Sequence, residues 1–135
     1  MAHCQDSQPV GLRLTASSVR LSVCRLEPGE PIPSWGTDGG WWSVSRSAVE
    51  LSIVCEELRV PEGVVRSGPW RALMVEGPLD HSLVGILASI STTLAAAAVP
   101  IFALSTYDTD WVLVPEGRLE QARSALLAAG HQLDP

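Results

Sequence analysis

The sequence predicts an α+β fold, and two observations carry that expectation. Ile101–Thr106 and Asp110–Val114 are short runs rich in β-branched and aromatic residues, the composition of half-buried strands, and Arg71–Glu76 is a third strand, broken by Gly77 and Pro78,. Asp80–Val99 and Gly117–Ala129 carry apolar residues at helical spacing, so each is expected to lay one stripe on a sheet. Their order in the second half of the chain is β-α-β-β-α.

The individual elements follow from local signals. In Asp80–Val99 the residues Leu83, Leu87, Ile90 and Leu94 form one stripe, and Pro100 ends the helix,. In Gly117–Ala129 the stripe is Leu119, Ala122, Leu126 and Ala129, with Gly130 placed as a C-terminal cap,. Ile101–Thr106 and Asp110–Val114 form a hairpin around a polar hinge, Ser105–Asp110. The first half is less regular. Leu12–Leu26 contains strand material, clearest where Val19, Leu21 and Val23 alternate with Arg20, Ser22 and Cys24,. Glu27–Gly40 is rich in Pro and Gly and reads as irregular,. Trp41–Ser45 and Glu50–Cys55 read as a second hairpin, followed by one helical turn and a loop through Pro69. At a shift of sixty residues, Ser45–Glu56 echoes Ser105–Glu116, which suggests two related halves.

Composition bounds the function. The chain has 135 residues and is 46% hydrophobic, enough for a core,. A net charge of −6 argues against a nucleic-acid partner,. No apolar run reaches the roughly 20 residues of a membrane span, and the start of the chain lacks a signal-peptide pattern,. A cytoplasmic protein is expected. All nine basic residues are arginine, so P-loop and Schiff-base chemistry, which need a lysine, are excluded. That bias suits a GC-rich bacterial genome. Cys4, Cys24 and Cys55 share no metal-type spacing and read as free thiols, the latter two on strands,. His3 beside Cys4 is too little for a metal site,. No nucleophile–base pair or catalytic motif emerges, and no cofactor or metal is expected.

On these residues the chain resembles the ACT-domain superfamily, and it is similar to small stand-alone bacterial proteins related to the CASTOR-type arginine sensors. The resemblance rests on Pro31–Trp35, Trp42–Arg46 followed by Glu50–Cys55, Trp70–Leu73, Val75–Asp80, Ser82–Ala88 and Ser105–Asp110. It implies a tandem of ferredoxin-like β-α-β-β-α-β modules that bind amino acids at module interfaces. Residues 1–10 would be a disordered leader, 11–65 a degenerate first module and 66–135 the ACT domain. The second module has almost no final strand, so a segment around Leu12–Thr15 is expected to complete its sheet beside Arg71–Glu76.

Candidate ligand contacts fall in three segments. The first is the loop and helix start with Gly77, Leu79, Asp80, His81, Ser82, Leu83, Val84 and Gly85. Backbone N–H groups at a helix start attract a carboxylate; equally, Asp80 is an ordinary cap, His81 an exposed side chain and Gly85 a packing glycine. The second is the hinge with Thr106, Tyr107, Asp108 and Asp110. Its carboxylates suit an ammonium group, while ordinary turn chemistry also accounts for them. The third is its counterpart Ser43, Val44 and Ser45. The five tryptophans read as core and interface packing,. The expectation is a non-enzymatic amino-acid-binding regulatory module, a homodimer acting on an unidentified protein; the alternative is a ligand-free interaction module of the same fold.

Overall fold

Strands dominate the chain. The computed structural model describes residues 11–77 and 84–134. The strands are β1 (Arg13–Leu26), β2 (Trp42–Arg46), β3 (Leu51–Glu56), β4 (Val65–Val75), β5 (Phe102–Ser105), β6 (Asp110–Pro115) and β7 (Gln132–Asp134). The α-helices are α1 (Ile86–Ala96) and α2 (Leu119–Ala128), and 3₁₀ turns occupy Ser34–Thr37, Glu57–Arg59 and Glu116–Arg118.

The chain forms two compact units. The C-terminal unit takes residues through Ser18 together with those from Arg71 onward, and the N-terminal unit is Val19–Trp70. The boundary runs through β1 and β4, so each of these long strands contributes one part to either unit.

In the C-terminal unit the strand order is β7, β1, β4, β6, β5. The expected completion of this sheet is present. The first part of β1 lies beside the last part of β4, with Glu76 N–H donating to the Arg13 carbonyl at 2.8 Å and Arg71 Nε to that of Ser17 at 2.7 Å. The short β7 then pairs in parallel with β1, Arg13 opposite Gln132. Helices α1 and α2 supply Ile86, Ile90, Leu94, Leu119, Ala122 and Leu126 to a core shared with Leu14, Leu73, Val75, Val112 and Val114. Of the expected helical stripes, Ile90, Leu94, Leu119, Ala122 and Leu126 are buried, while Ala129 is exposed just past the end of α2.

In the N-terminal unit the order is β2, β3, β1, β4, with β3 antiparallel to both neighbours. Among the described residues this unit contains no α-helix; its 3₁₀ turns and the segment before β4 supply Trp35, Val60 and Val64 to a core with Cys24, Leu51, Ile53 and Cys55.

Three expectations are corrected. First, α1 runs from Ile86 and the expected helix does not continue through Gly85, whose φ of 82° is a left-handed conformation no helix interior accepts; Asp80–Leu83 lie outside the described residues,. Second, the loop expected up to Pro69 is strand from Val65. A Cβ on Gly68, at φ of 147°, would stand 2.9 Å from the Leu21 carbonyl oxygen. The glycine is therefore used for close approach of β4 to β1 and does not mark a break. Third, the repeat is offset by 59 residues and not sixty. Ser47 N–H bonds the Glu50 carbonyl and Thr106 N–H that of Thr109, at 2.9 and 2.8 Å. Strand β3 and its 3₁₀ turn recur at the same offset as β6 and Glu116–Arg118. Sequence identities such as Ser45 with Ser105 are one position out of step with the backbone repeat.

Both helices end in the same way, through different residues. Gly130 follows α2 with φ of 94°, the expected cap, and His131 N–H reaches back to the Leu126 carbonyl,. After α1 the left-handed position is held by Ala98, φ of 60°, with Val99 N–H bonding the Leu94 carbonyl. A β-carbon is disfavoured there by about 1 kcal/mol. Ala98→Gly is therefore expected to stabilise the protein by roughly 0.5–1 kcal/mol in urea unfolding, whereas Gly68→Ala should cost about 2 kcal/mol or more. The opposite signs would contradict the backbone conformations assigned here.

Candidate functional site

One end of the C-terminal unit gathers chain starts and chain turns. Strand β4 ends there at Val75, leading into Glu76 and Gly77; α1 begins there behind Val84 and Gly85. The turn between β5 and β6 reaches the same end, because the Thr109 hydroxyl donates to the Val75 carbonyl at 2.5 Å. Thr109 is only 8% exposed, so this bond fixes the hinge to the strand end that opens into the Gly77 segment. Inside the hinge, Thr106 Oγ1 donates to the Thr109 carbonyl at 3.1 Å, and Ser105 Oγ to Asp110 Oδ1 at 2.6 Å. Asp110 is thus already engaged. The tip residues Tyr107 and Asp108 are exposed, Tyr107 at 82%.

The expected site residues are thus distributed unevenly. Gly77, Val84, Gly85, Thr106, Tyr107, Asp108 and Asp110 all belong to this end, while Leu79, Asp80, His81, Ser82 and Leu83 lie outside the described residues. Ser43, Val44 and Ser45 belong to β2 of the N-terminal unit. At the offset of 59 they correspond to Phe102, Ala103 and Leu104 and not to the hinge. Val44 packs on its own unit's core.

Sequence reasoning passed over two groups here. His131 is 4% exposed. Leu12 N–H donates to its Nδ1 at 3.0 Å, and Nε2 lies 3.3 Å from Ser89 Oγ in the first turn of α1. A backbone N–H only donates, so Nδ1 carries the lone pair and Nε2 the proton. The imidazole therefore donates to Ser89 and is not a base for it. This Ser–His contact is wired against nucleophilic catalysis and instead ties β1, β7 and α1 together at this end. The second group is Arg13, which pairs with Glu76 and Asp134, both at 3.3 Å. These are exposed pairs of small energetic weight. Their only sequence signal was an unremarkable scatter of charges.

The described residues hold no cluster of three or more His, Cys, Asp or Glu side chains of metal-binding kind. No helix among them is long and apolar enough to cross a membrane. What this end offers is backbone polar groups, hydroxyls and carboxylates on turns.

An ACT-domain family model matches residues 65–128, and a second model, of an N-terminal domain, matches 20–63. A solved structure of an Agobacterium tumefaciens protein is 34% identical, with 93% of each chain covered and a TM-score of 0.86. A Vibrio cholerae protein described as a possible transport protein is 19% identical, covering 89% of this chain and 91% of that one, with a TM-score of 0.69. The regulatory subunit of aspartate kinase from Thermus flavus is 12% identical, covering 90% and 99%, with a TM-score of 0.63, a likeness of fold. The chain belongs to the family of the Agobacterium protein, and its residues 65–128 are similar to ACT domains.

Burial holds the pKa of His131 below its ordinary 6.5. Between the folded and unfolded values the unfolded chain binds one more proton, so stability rises with pH. This contribution is complete above about 6.5 and is lost as pH falls through the folded value. His131→Gln offers an uncharged acceptor and donor in place of the ring. Unfolding free energy measured from pH 7.5 to 5 should fall less steeply in His131→Gln than in the parent protein; equal slopes would refute the assignment.

Proposed function

We propose that this protein is a non-catalytic regulatory module that binds a small metabolite of amino-acid type, cytoplasmic and working as a homodimer. The ligand sits at the end of the C-terminal unit that carries Gly77 and Gly85, with the hinge Thr106–Asp110 closing one side. A carboxylate of the ligand is taken by backbone N–H groups at the start of α1, and its ammonium group by the carboxylate of Asp108. Segment Leu79–Leu83 is part of the same proposal, and Ser43–Ser45 are proposed as a separate ligand contact within the N-terminal unit. A second copy covers the ligand in the dimer, and binding shifts the packing between copies, which a regulated protein then reads.

The observation that carries this reading is the buried bond from Thr109 to the Val75 carbonyl. It supports a site in which two segments distant in sequence are held together before any ligand arrives, a preorganisation that lowers the cost of binding. The ACT match over residues 65–128 supports the ligand class.

A ligand-free interaction module is the second reading. It draws on the missing helices of the N-terminal unit and on exposed apolar groups such as Leu58 and Tyr107.

Calorimetry and thermal shift against the common amino acids separate the two. A ligand at a hundred times its Kd should raise stability by about 2.7 kcal/mol. Asp108→Ala should weaken that response without lowering the melting temperature of the free protein. Flat traces at millimolar concentration for every amino acid, from a protein that still dimerises, would favour the second reading.

A further inference from the structure

The N-terminal unit buries a small polar cluster that the regulatory reading does not use. Cys24 and Cys55 are 1% and 0% exposed, and both are free thiols. They lie on neighbouring antiparallel strands. Cys55 stands opposite Ser22, and Cys24 opposite Ile53. In an antiparallel ladder, residues directly opposite or two positions along the same strand share a face, so Ser22, Cys24 and Cys55 project to one side of the sheet. The two thiols are close enough to hydrogen-bond each other. Ser22 is 1% exposed, and its hydroxyl is a buried side-chain oxygen without a hydrogen-bond partner. Leaving such a group unsatisfied costs about 1–3 kcal/mol.

The spacing is unsuited to a disulfide. Diagonal residues on antiparallel strands stand about 7–8 Å apart, beyond the roughly 4.4–6.8 Å between α-carbons that a disulfide needs. An atom placed between the sulfurs, with bonds on the order of 2.3 Å, spans a wider gap. Zinc prefers four nitrogen or sulfur donors, and no third His, Cys, Asp or Glu joins these two among the described residues. Thiolate sulfur selects soft cations. Arg66 is near enough for its positive charge to act on both thiols.

We propose that Cys24 and Cys55 form a two-coordinate site for a soft monovalent cation of the Cu(I) type, with the Ser22 hydroxyl donating to one of the coordinating sulfurs. Both thiols lose their protons to solvent as the cation binds, two protons for one metal ion. The resulting bis-thiolate complex carries one negative charge, which Arg66 offsets. Ser22 gains the partner it otherwise lacks. In the free protein burial pushes the Cys24 thiol up to about 11 and raises that of Cys55 as well, so both sulfurs are protonated until a metal displaces the protons. Entry requires local opening of the unit, and uptake should be slow. This site is independent of the ligand-binding reading.

The test is an anaerobic titration of the reduced full-length protein carrying Cys4→Ser, with Cu(I) presented as a chelator complex of known affinity. The folded protein is expected to withdraw one equivalent, with a thiolate-to-copper absorption band and a raised melting temperature. Corrected for the chelator, affinity should increase about a hundredfold per pH unit, since two protons leave. Cys24→Ser and Cys55→Ser should each abolish the band, and Ser22→Ala should weaken binding roughly tenfold. Near-UV dichroism identifies variants that remain folded; if the cysteine variants unfold, the pH slope and Ser22→Ala decide. No withdrawal of copper, uptake that survives in the double cysteine variant, uptake only in urea, or a slope without the two-proton dependence would each overturn the proposal.

Discussion

A strand in the interior of a sheet needs hydrogen-bonding partners on both sides, and the C-terminal unit depends on how that need is met for the last part of β4. Among the described residues after α2, Gln132–Asp134 form strand, too short to line Arg71–Val75. The start of β1 fills the place, locked by Glu76 N–H to the Arg13 carbonyl and by the Arg71 guanidinium to that of Ser17. With that ladder closed, Leu14 and Ala16 enter the core under α1 and α2. The residual strand β7 then finds its partner on the outer side of β1, and Arg123 holds it to α2 through the Leu133 carbonyl at 2.8 Å.

The candidate site inherits its rigidity from this arrangement. His131 joins β7 to the start of β1 and to α1, and Thr109 joins the hinge to the end of β4. Turns and helix starts otherwise leave backbone groups without partners. Here a few side chains fix the segments while Tyr107 and Asp108 stay exposed at the tip. The opposite end is treated differently. Arg118 and Gln121 donate to the Ala98 and Ala97 carbonyls, at 2.9 and 2.7 Å, and so close the end of α1. At the repeat offset, Arg118 corresponds to Arg59, which bonds Asp38 at 3.0 Å in the segment that replaces a helix in the N-terminal unit. The same arginine position thus anchors a helix end in one unit and an irregular loop in the other.

Much of the secondary structure was legible because its signals are local. The hairpin around the hinge, α2 and its Gly130 cap, and the irregular Glu27–Gly40 segment were all readable from composition and period. The failures share one cause. Gly68 and Pro69 look like a loop until the Leu21 carbonyl is seen beside them, and Gly85 looks like a helix residue until its left-handed conformation is known. The repeat was legible but misaligned by one position, since chance identities outweighed turn hydrogen bonds that no sequence displays. In the site, the hinge was recognised as polar, yet Thr109, the residue that fixes it, passed as turn filler. His131 passed entirely, because one histidine after a helix cap gives no signal of burial.

The sequence by itself determined the α+β class, the resemblance to the ACT superfamily and the absence of any lysine for P-loop or Schiff-base chemistry. Periodicity, turn residues and composition act over a few neighbours, so a linear reading captures them. Only the tertiary structure decided which tautomer His131 holds, that the hinge is tied to Val75, and that Ser22, Cys24 and Cys55 share one buried face. Those facts depend on strand register and on partners tens of residues away, where a shift of one residue turns each side chain to the other face of the sheet.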